Sequence, residues 1–212
     1  MGNTEEVVEK IRSAFGGNEY PGDQYLQGSS EGCEPFEEVG PFQGRRDWQA
    51  IEADFLDAHA GALSFFSEAG FRFFLPAYLI ADLEGRLQYA DPLFHLTHGF
   101  SDGEVEAPTK GRTFRIKFGR SQFVNPRRYG AMTSHDHACY RLSVFTREEA
   151  QAIVAFLQFK RQADPLAQEV IDAALHSFWL EQARSAPEGA SLEKYLREQE
   201  EYLAALREGS DQ

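Results

Sequence analysis

The densest apolar stretch of the chain runs from Phe55 to Leu83 and contains six of its 18 Phe together with Leu, Ile, Ala and one Tyr. Side chains of this kind are usually buried. Apolar residues recur at helical spacing after Ser67, which is a good N-cap, so the pattern predicts a buried helix there. Pro76 predicts either a kink in that helix or the start of a new one. This stretch therefore predicts a core rather than a site.

Helical periodicity recurs along most of the chain and predicts a mainly α fold. The interval from Gly16 to Gly44 holds seven Gly and three Pro, which predicts a long ordered N-terminal loop without regular structure. We expect a single helical domain over residues 1–190 and a C-terminal helix over 191–212 that is either docked or partner-binding. The other predicted helices cover residues 4–15, 46–59, 91–98, the segment from Thr146, the segment from Asp164 to Ala183, and 192–208.

Net charge is −13 over 212 residues, and it is unevenly distributed. Residues 1–57 carry −9, 58–106 carry −5, 107–146 carry +7 and 147–212 carry −6. A generally acidic surface disfavours nucleic acid, because phosphate binding needs clustered Lys and Arg. No apolar run approaches the roughly 18 residues that would span a membrane, and no secretory signal begins the chain. We therefore expect a cytoplasmic protein whose two cysteines are free thiols, with a disulfide as the alternative.

The basic segment, residues 110–128, has no acidic residue. Its apolar and charged residues alternate from Phe114 to Phe118, which predicts a small β-hairpin or edge strand. One interpretation is a site for an anion or an acidic partner; the other is a basic patch that lies against the acidic helices of the same protein. The candidate binding residues are Arg112, Arg115, Lys117, Arg120, Arg127 and Arg128.

Two pairs of histidines provide the most specific hypothesis of an enzymatic function, which is metal binding. His95 and His98 are three residues apart and would share a helix face, whereas His135 and His137 are two apart and would share a strand face. Both spacings suit zinc, so all four are candidate metal ligands. The alternative is that they are surface or hydrogen-bonded core histidines, since no motif such as HExxH accompanies them.

Four blocks of sequence resemble an uncharacterised bacterial family, a domain of unknown function. The blocks are Tyr20-Pro21-Gly22-Asp23, the Cys33-Glu34 pair, the apolar block from Leu63 to Leu83, and FTREEAQAIVAFLQF from Phe145 to Phe159. The resemblance implies no activity, cofactor or catalytic residue. The basic segment and the chain beyond Asp164 lie outside these blocks.

Taken together, these patterns favour a non-catalytic acidic protein-binding module, possessing no cofactor and acting on a protein partner. An immunity or inhibitor type is the most concrete version, because an acidic helical protein can steer onto a basic partner and block it. One alternative is a metal-dependent hydrolase that uses the paired histidines and zinc. The other is an anion or nucleic-acid sensor that acts through the basic segment.

Overall fold

The computed structural model describes residues 3–30, 32–109, 112–124 and 130–210, with the backbone alone at 104–109, 112–118 and 209–210. The predicted mainly α single domain with a small β element is confirmed. Its elements are α1 (Thr4–Phe15), α2 (Glu34–Val39), α3 (Ala53–Ala58), α4 (Ala62–Phe65), α5 (Glu68–Leu83), α6 (Pro92–Thr97), β1 (Gly103–Thr109), β2 (Arg112–Phe118), α7 (Ser134–Leu142), α8 (Arg147–Ala163), α9 (Gln168–Ala174), a π-helical segment (Leu175–Trp179), α10 (Leu180–Ser185) and α11 (Glu193–Ser210).

Helix α5 forms the centre of the core, and every residue from Glu68 to Ala81 is buried. Ser67 begins the helix as predicted, because its side chain accepts a hydrogen bond from the Gly70 backbone N–H at 3.0 Å. The helix continues through Pro76, so the alternative in which a new helix starts there is wrong. A helix that is buried on all sides requires neighbours on all sides. The other helices supply them, with α1, α3, α6 and α11 all packing against α5.

The predicted loop over residues 16–44 is wrong in one respect, because it contains a short helix, α2. Pro35 lies in the first turn of α2, where its missing N–H costs nothing. In the rest of the described interval, Tyr20, Leu26 and Phe42 pack in or against the core. Phe42 is fully buried, and its ring centroid lies 4.9 Å from those of both Phe66 and Phe74.

The predicted helix over residues 46–59 is shorter in the structure. Only α3 is α-helical, and it follows a 3-10 turn at Trp48–Ala50 and extended backbone at Ile51 and Glu52. Trp48 is buried and its indole N–H donates a hydrogen bond to the Phe15 carbonyl at 3.3 Å. This anchor against α1 holds the turn apart from α3.

A buried ion pair joins α5 to α8. Arg72 contacts both carboxylate oxygens of Glu149, with Nη2 to Oε1 at 2.8 Å and Nε to Oε2 at 2.9 Å. The same carboxylate accepts a hydrogen bond from the Thr146 backbone N–H at 2.8 Å, which completes the predicted capping box at the start of α8. Asn18 accepts a further hydrogen bond from Arg72. Glu149 therefore caps its own helix, α8, and neutralises the charge of Arg72 on α5.

The strands β1 and β2 form an antiparallel hairpin, as the alternation predicts. The register places Lys117 opposite Glu104 and Arg115 opposite Glu106. Opposed residues of opposite charge favour a hairpin. This pairing supports the interpretation in which basic residues of the segment are balanced by acids of the same protein.

Helix α11 lies against the body of the domain in the part of the chain described here. The hydroxyl of Tyr25 donates to Glu200, and that of Tyr140 donates to Glu198. The Gln199 side-chain amide donates to a backbone carbonyl of the N-terminal segment at 2.6 Å. None of the helices that the structure describes combines the length and apolar composition that a membrane crossing needs.

Candidate functional site

Three of the four predicted histidines lie around one cavity. His95 lies in α6, His98 directly follows that helix, and His137 lies in α7. The fourth, His135, is directed elsewhere. The expectation that His135 and His137 share a strand face is wrong because α7 is a helix, where residues two apart point in different directions.

His135 packs on the other side of α7, against the ring of Phe100 at a centroid distance of 5.8 Å. The Cys139 Sγ lies 3.9 Å from both of its ring nitrogens. Burial, followed by the charge of Asp136, raises the pKa of the Cys139 thiol. A raised pKa lowers the fraction of thiolate near neutral pH and so makes Cys139 a weaker nucleophile.

The cavity, which we call the histidine cavity, has a volume of about 210 Å³. It lies between α6 and α7, with α4 at its edge. Its wall contains both polar and apolar side chains. The lining residues are Ser64, Phe94, His95, His98, Val124, Ser134, His137, Ala138, Arg141 and Leu142.

Two contacts hold α6 and α7 in place around this cavity. The buried indole N–H of Trp179 donates to the Leu96 carbonyl of α6 at 2.8 Å. Gly99 has a φ of +89°, and a Cβ atom there would lie 2.6 Å from the Ser134 carbonyl oxygen. Glycine is the residue that tolerates such a backbone conformation. It therefore allows the chain after α6 to approach the first turn of α7 closely.

Arg141 is the charged residue among the described residues that line the histidine cavity. Its guanidinium donates to the Leu63 and Phe66 carbonyls and lies 4.3 Å from the centroid of the Phe71 ring. Two hydrogen bonds and a stacking contact fix the plane of the guanidinium. The cavity thus contains a positioned positive charge.

Burial keeps the imidazoles of His95 and His98 neutral near pH 7. Burial, then the charge of Arg141 and that of His98, lowers the pKa of His95 to about 3. Burial also lowers the pKa of His98. A neutral imidazole offers one N–H donor and one acceptor nitrogen. The guanidinium of Arg141 gives this cavity a permanent positive charge.

No group of three or more His, Cys, Asp or Glu among the described residues is arranged to hold a metal ion. A zinc site requires three or four such ligands. His95, His98 and His137 share a cavity, but their common location does not amount to that ligand set. The zinc hypothesis therefore stays a prediction.

The described part of the basic segment consists of β2 and the turn that follows it. Arg112, Arg115 and Lys117 are positions of β2, and Arg120 lies in the turn after it. The backbone N–H of Arg120 donates to the Asp102 carboxylate at 3.0 Å. Arg127 and Arg128, also predicted to bind an anion or partner, lie outside the described residues.

A second cavity, which we call the apolar groove, has a volume of about 390 Å³ and shares Phe94 and His98 with the histidine cavity. Three large apolar side chains on its wall are exposed: Leu166 at 94%, Phe94 at 49% and Val170 at 36%. Its other lining residues are Asp91, Leu93, Thr97, Gly99, Ser101, Gly119, Asp164 and Ala167.

The two aspartates of the groove position its apolar residues. Asp91 caps α6 and accepts a hydrogen bond from the Phe94 backbone N–H at 2.9 Å. Asp164 caps the 3-10 turn before α9 and accepts one from the Leu166 backbone N–H, also at 2.9 Å. Pro165 restricts the backbone between Asp164 and Leu166. Local capping thus presents Leu166 to the solvent beside two carboxylates.

The sequence patterns missed Arg141, Leu166 and Phe94 as site residues. A signal for Arg141 exists, because Thr133 followed by Asp136 is typical of a helix start, and a helix there would place Arg141 on the same face as His137. Leu166 carries no such signal, since exposure depends on which elements pack around it.

Comparison of the chain with protein-family models, with curated proteins and with solved structures finds no match.

Proposed function

We propose that this protein is a non-catalytic, acidic protein-binding module and that the apolar groove is its docking face. The observation that carries the proposal is the exposure of Leu166, Phe94 and Val170 on the wall of one cavity. Large apolar side chains exposed together typically mark interaction surfaces. Leu166 would lose nearly all of its accessible surface under a partner, which is the behaviour of an anchor residue.

The partner has a basic surface that presents an apolar side chain. Asp91 and Asp164 line the groove, whereas no Lys or Arg does among the residues that the structure describes. The chain as a whole is also acidic, with a net charge of −13. Complementary charge accelerates association and rejects partners of the wrong sign. An immunity or inhibitor role, in which the acidic module covers a basic functional surface of its target, is the form that we propose.

Matched variants test the groove as the docking face. Wild-type protein, Leu166→Glu and Phe36→Glu are expressed with the same tag at low salt, and the proteins that co-purify are compared. Phe36 is 56% exposed and does not line the groove, so its substitution introduces the same charge elsewhere. We expect a stoichiometric partner with wild type and Phe36→Glu and its loss with Leu166→Glu. Equal recovery with all three forms would refute the docking face.

The metal-dependent hydrolase is the second candidate, and the shared location of His95, His98 and His137 favours it. Metal analysis of the purified protein separates the two functions. The binding module predicts no stoichiometric zinc and no change after chelation. One zinc per chain that is lost on substitution of His95 would favour the hydrolase instead.

A further inference from the structure

We propose that the apolar groove recognises a short linear segment of the partner, in which one large apolar side chain has lysine or arginine on both sides. The inference rests on the proposed function, since it states what the docking face binds. Three features of the groove wall carry it: exposed apolar side chains, carboxylates beside them, and positions where the wall is backbone alone. Each feature selects one property of the segment.

The size of the groove limits what it can hold. Its volume of about 390 Å³ lies near the lower end of the range for pockets that enclose a small ligand, about 300–1,000 Å³. That is room for one or two side chains of a partner and for the main chain that carries them. A short segment therefore fills the groove, and binding does not require a wider folded surface.

The apolar wall selects a large apolar side chain. Leu166 is 94% exposed and Phe94 is 49% exposed. The Phe94 ring packs against the His98 imidazole, with a centroid distance of 4.8 Å, so a contact within the protein already holds it in position. A leucine or phenylalanine of the segment that lies against Leu166 and Phe94 would remove apolar surface of both proteins from water. An alanine would cover much less of it.

A carboxylate accompanies each half of the apolar wall. Asp91 is three residues before Phe94, and Asp164 is two residues before Leu166. In each cap the described hydrogen bond is accepted by Oδ1, at 2.9 Å in both cases. The Oδ2 atoms accept none from the described residues, so they can bind cationic side chains while both caps stay intact. Because the two carboxylates come from different elements, α6 and the turn before α9, they favour cations on both sides of the apolar residue.

The third part of the wall is backbone. Gly99 and Gly119 line the groove and, having no side chains, contribute only main-chain atoms. Gly99 is buried, and its N–H and C=O take part in no hydrogen bond with the residues that the structure describes. Buried main-chain groups are normally paired. The main chain of an extended segment would pair with them, and hydrogen bonds of this kind give linear peptides affinity while their side chains give specificity.

Fluorescence anisotropy with labelled synthetic peptides tests the inference on the full chain. The main probe has a central leucine with two arginines on each side. One control peptide replaces the leucine by alanine, and another replaces every arginine by glutamate. We expect saturable one-to-one binding of the leucine probe, about tenfold weaker binding of the alanine peptide and no binding of the glutamate peptide. An alanine peptide that binds as tightly as the leucine probe would overturn the recognition of an apolar side chain.

A further peptide tests the backbone contact. The leucine probe with N-methylated peptide bonds keeps its side chains but loses its main-chain donors. We expect it to bind about fivefold more weakly than the unmodified probe. Equal affinity of the two forms would refute the pairing with main-chain groups of the groove.

Two matched pairs of variants locate the binding. Asparagine is as good a cap as aspartate, so Asp164→Asn keeps the cap and removes only the charge. Asp47→Asn is its control, because Asp47 caps another 3-10 turn, at Trp48–Ala50, through the same Oδ1 contact of 2.9 Å and does not line the groove. We expect about fivefold weaker binding of the leucine probe by Asp164→Asn and wild-type binding by Asp47→Asn. Leu166→Glu should abolish binding, and Phe36→Glu should retain it. Equal effects within either pair would refute recognition by the groove.

The outcomes separate this inference from the proposed function. If a protein partner co-purifies in a manner that depends on Leu166 but the leucine probe does not bind, the linear segment is refuted and the docking face stands. If neither the partner nor the probe depends on Leu166, both the inference and the docking face are refuted.

Discussion

Breaking the buried pair between Arg72 and Glu149 should be among the most destabilising single changes in this fold. The side chains are only 8% and 0% exposed. Glu149→Leu leaves the guanidinium buried with Asn18 as its remaining described partner and also removes the carboxylate from the Thr146 N–H. Loss of one member of a buried pair costs about 3–5 kcal/mol, and loss of a capping interaction about 1 kcal/mol. The expected loss of unfolding free energy is therefore about 4–6 kcal/mol.

The double variant Arg72→Met with Glu149→Leu should recover most of that loss. Replacement of a buried pair by apolar residues of similar volume is often neutral or stabilising, because neither charge then remains unpaired. Urea unfolding followed by far-UV circular dichroism gives the free energy of each single variant and of the double variant. We expect the two single costs together to exceed the cost of the double variant by more than about 3 kcal/mol.

The exposed pair between Arg184 and Glu181 provides the control cycle. Its side chains are largely accessible, so water replaces each partner when the other is removed. We expect the coupling free energy between Arg184 and Glu181 to be close to zero within the error of the measurement. The reasoning fails if the buried pair gives single-variant costs below about 1 kcal/mol, or if its single costs simply add in the double variant.

Three further predictions concern the segments that hold α6 in place. Burial acts to raise the pKa of Asp57, but three successive backbone N–H groups of the segment before α6 hold that pKa below its ordinary value. Asp57→Asn should therefore lower the free energy of unfolding at neutral pH. The difference in unfolding free energy between wild type and variant should shrink as pH falls below about 4, where the carboxylate becomes protonated. Trp179→Phe leaves the Leu96 carbonyl without its indole donor and should cost about 1–3 kcal/mol in urea unfolding; a cost near zero would contradict the anchor. Gly99→Ala should lower the melting temperature more than Gly85→Ala, because both have positive φ but only Gly99 faces a backbone oxygen of α7, at 2.6 Å; equal shifts would contradict that close approach.

Local sequence chemistry predicted the helix starts well. Thr146 with Glu149, and Ser67 before the apolar block, act through residues three positions apart, so the signal is complete within one turn. Burial of α5 was also predictable, since a helix with apolar residues around most of its circumference is stable only in a core. What the pattern could not supply is the charge partner: the sequence shows Glu149 as a cap, whereas its pairing with Arg72 depends on the packing of two helices.

The candidate site was predictable only in part, for the same reason. His95 and His98 were correctly placed together because they are close in sequence. Helix α7 was not predicted, because few of its residues are apolar and buried. The main ones are Ala138 and Leu142. Without it, Arg141 could not be brought to the histidines. The exposure of Leu166 depends on how the described elements pack around it, which no local pattern encodes.

Photo-cross-linking from position 166 tests the central claim, that the apolar groove docks a basic protein partner. A photoreactive phenylalanine analogue is placed at Leu166 in one form and at Phe36 in another, and each is irradiated in a cell lysate of defined salt concentration. The account predicts one dominant cross-linked protein from position 166 that is basic, is competed away by excess wild-type protein and is lost at high salt. Cross-links that are absent at position 166, or equal at both positions, would contradict it.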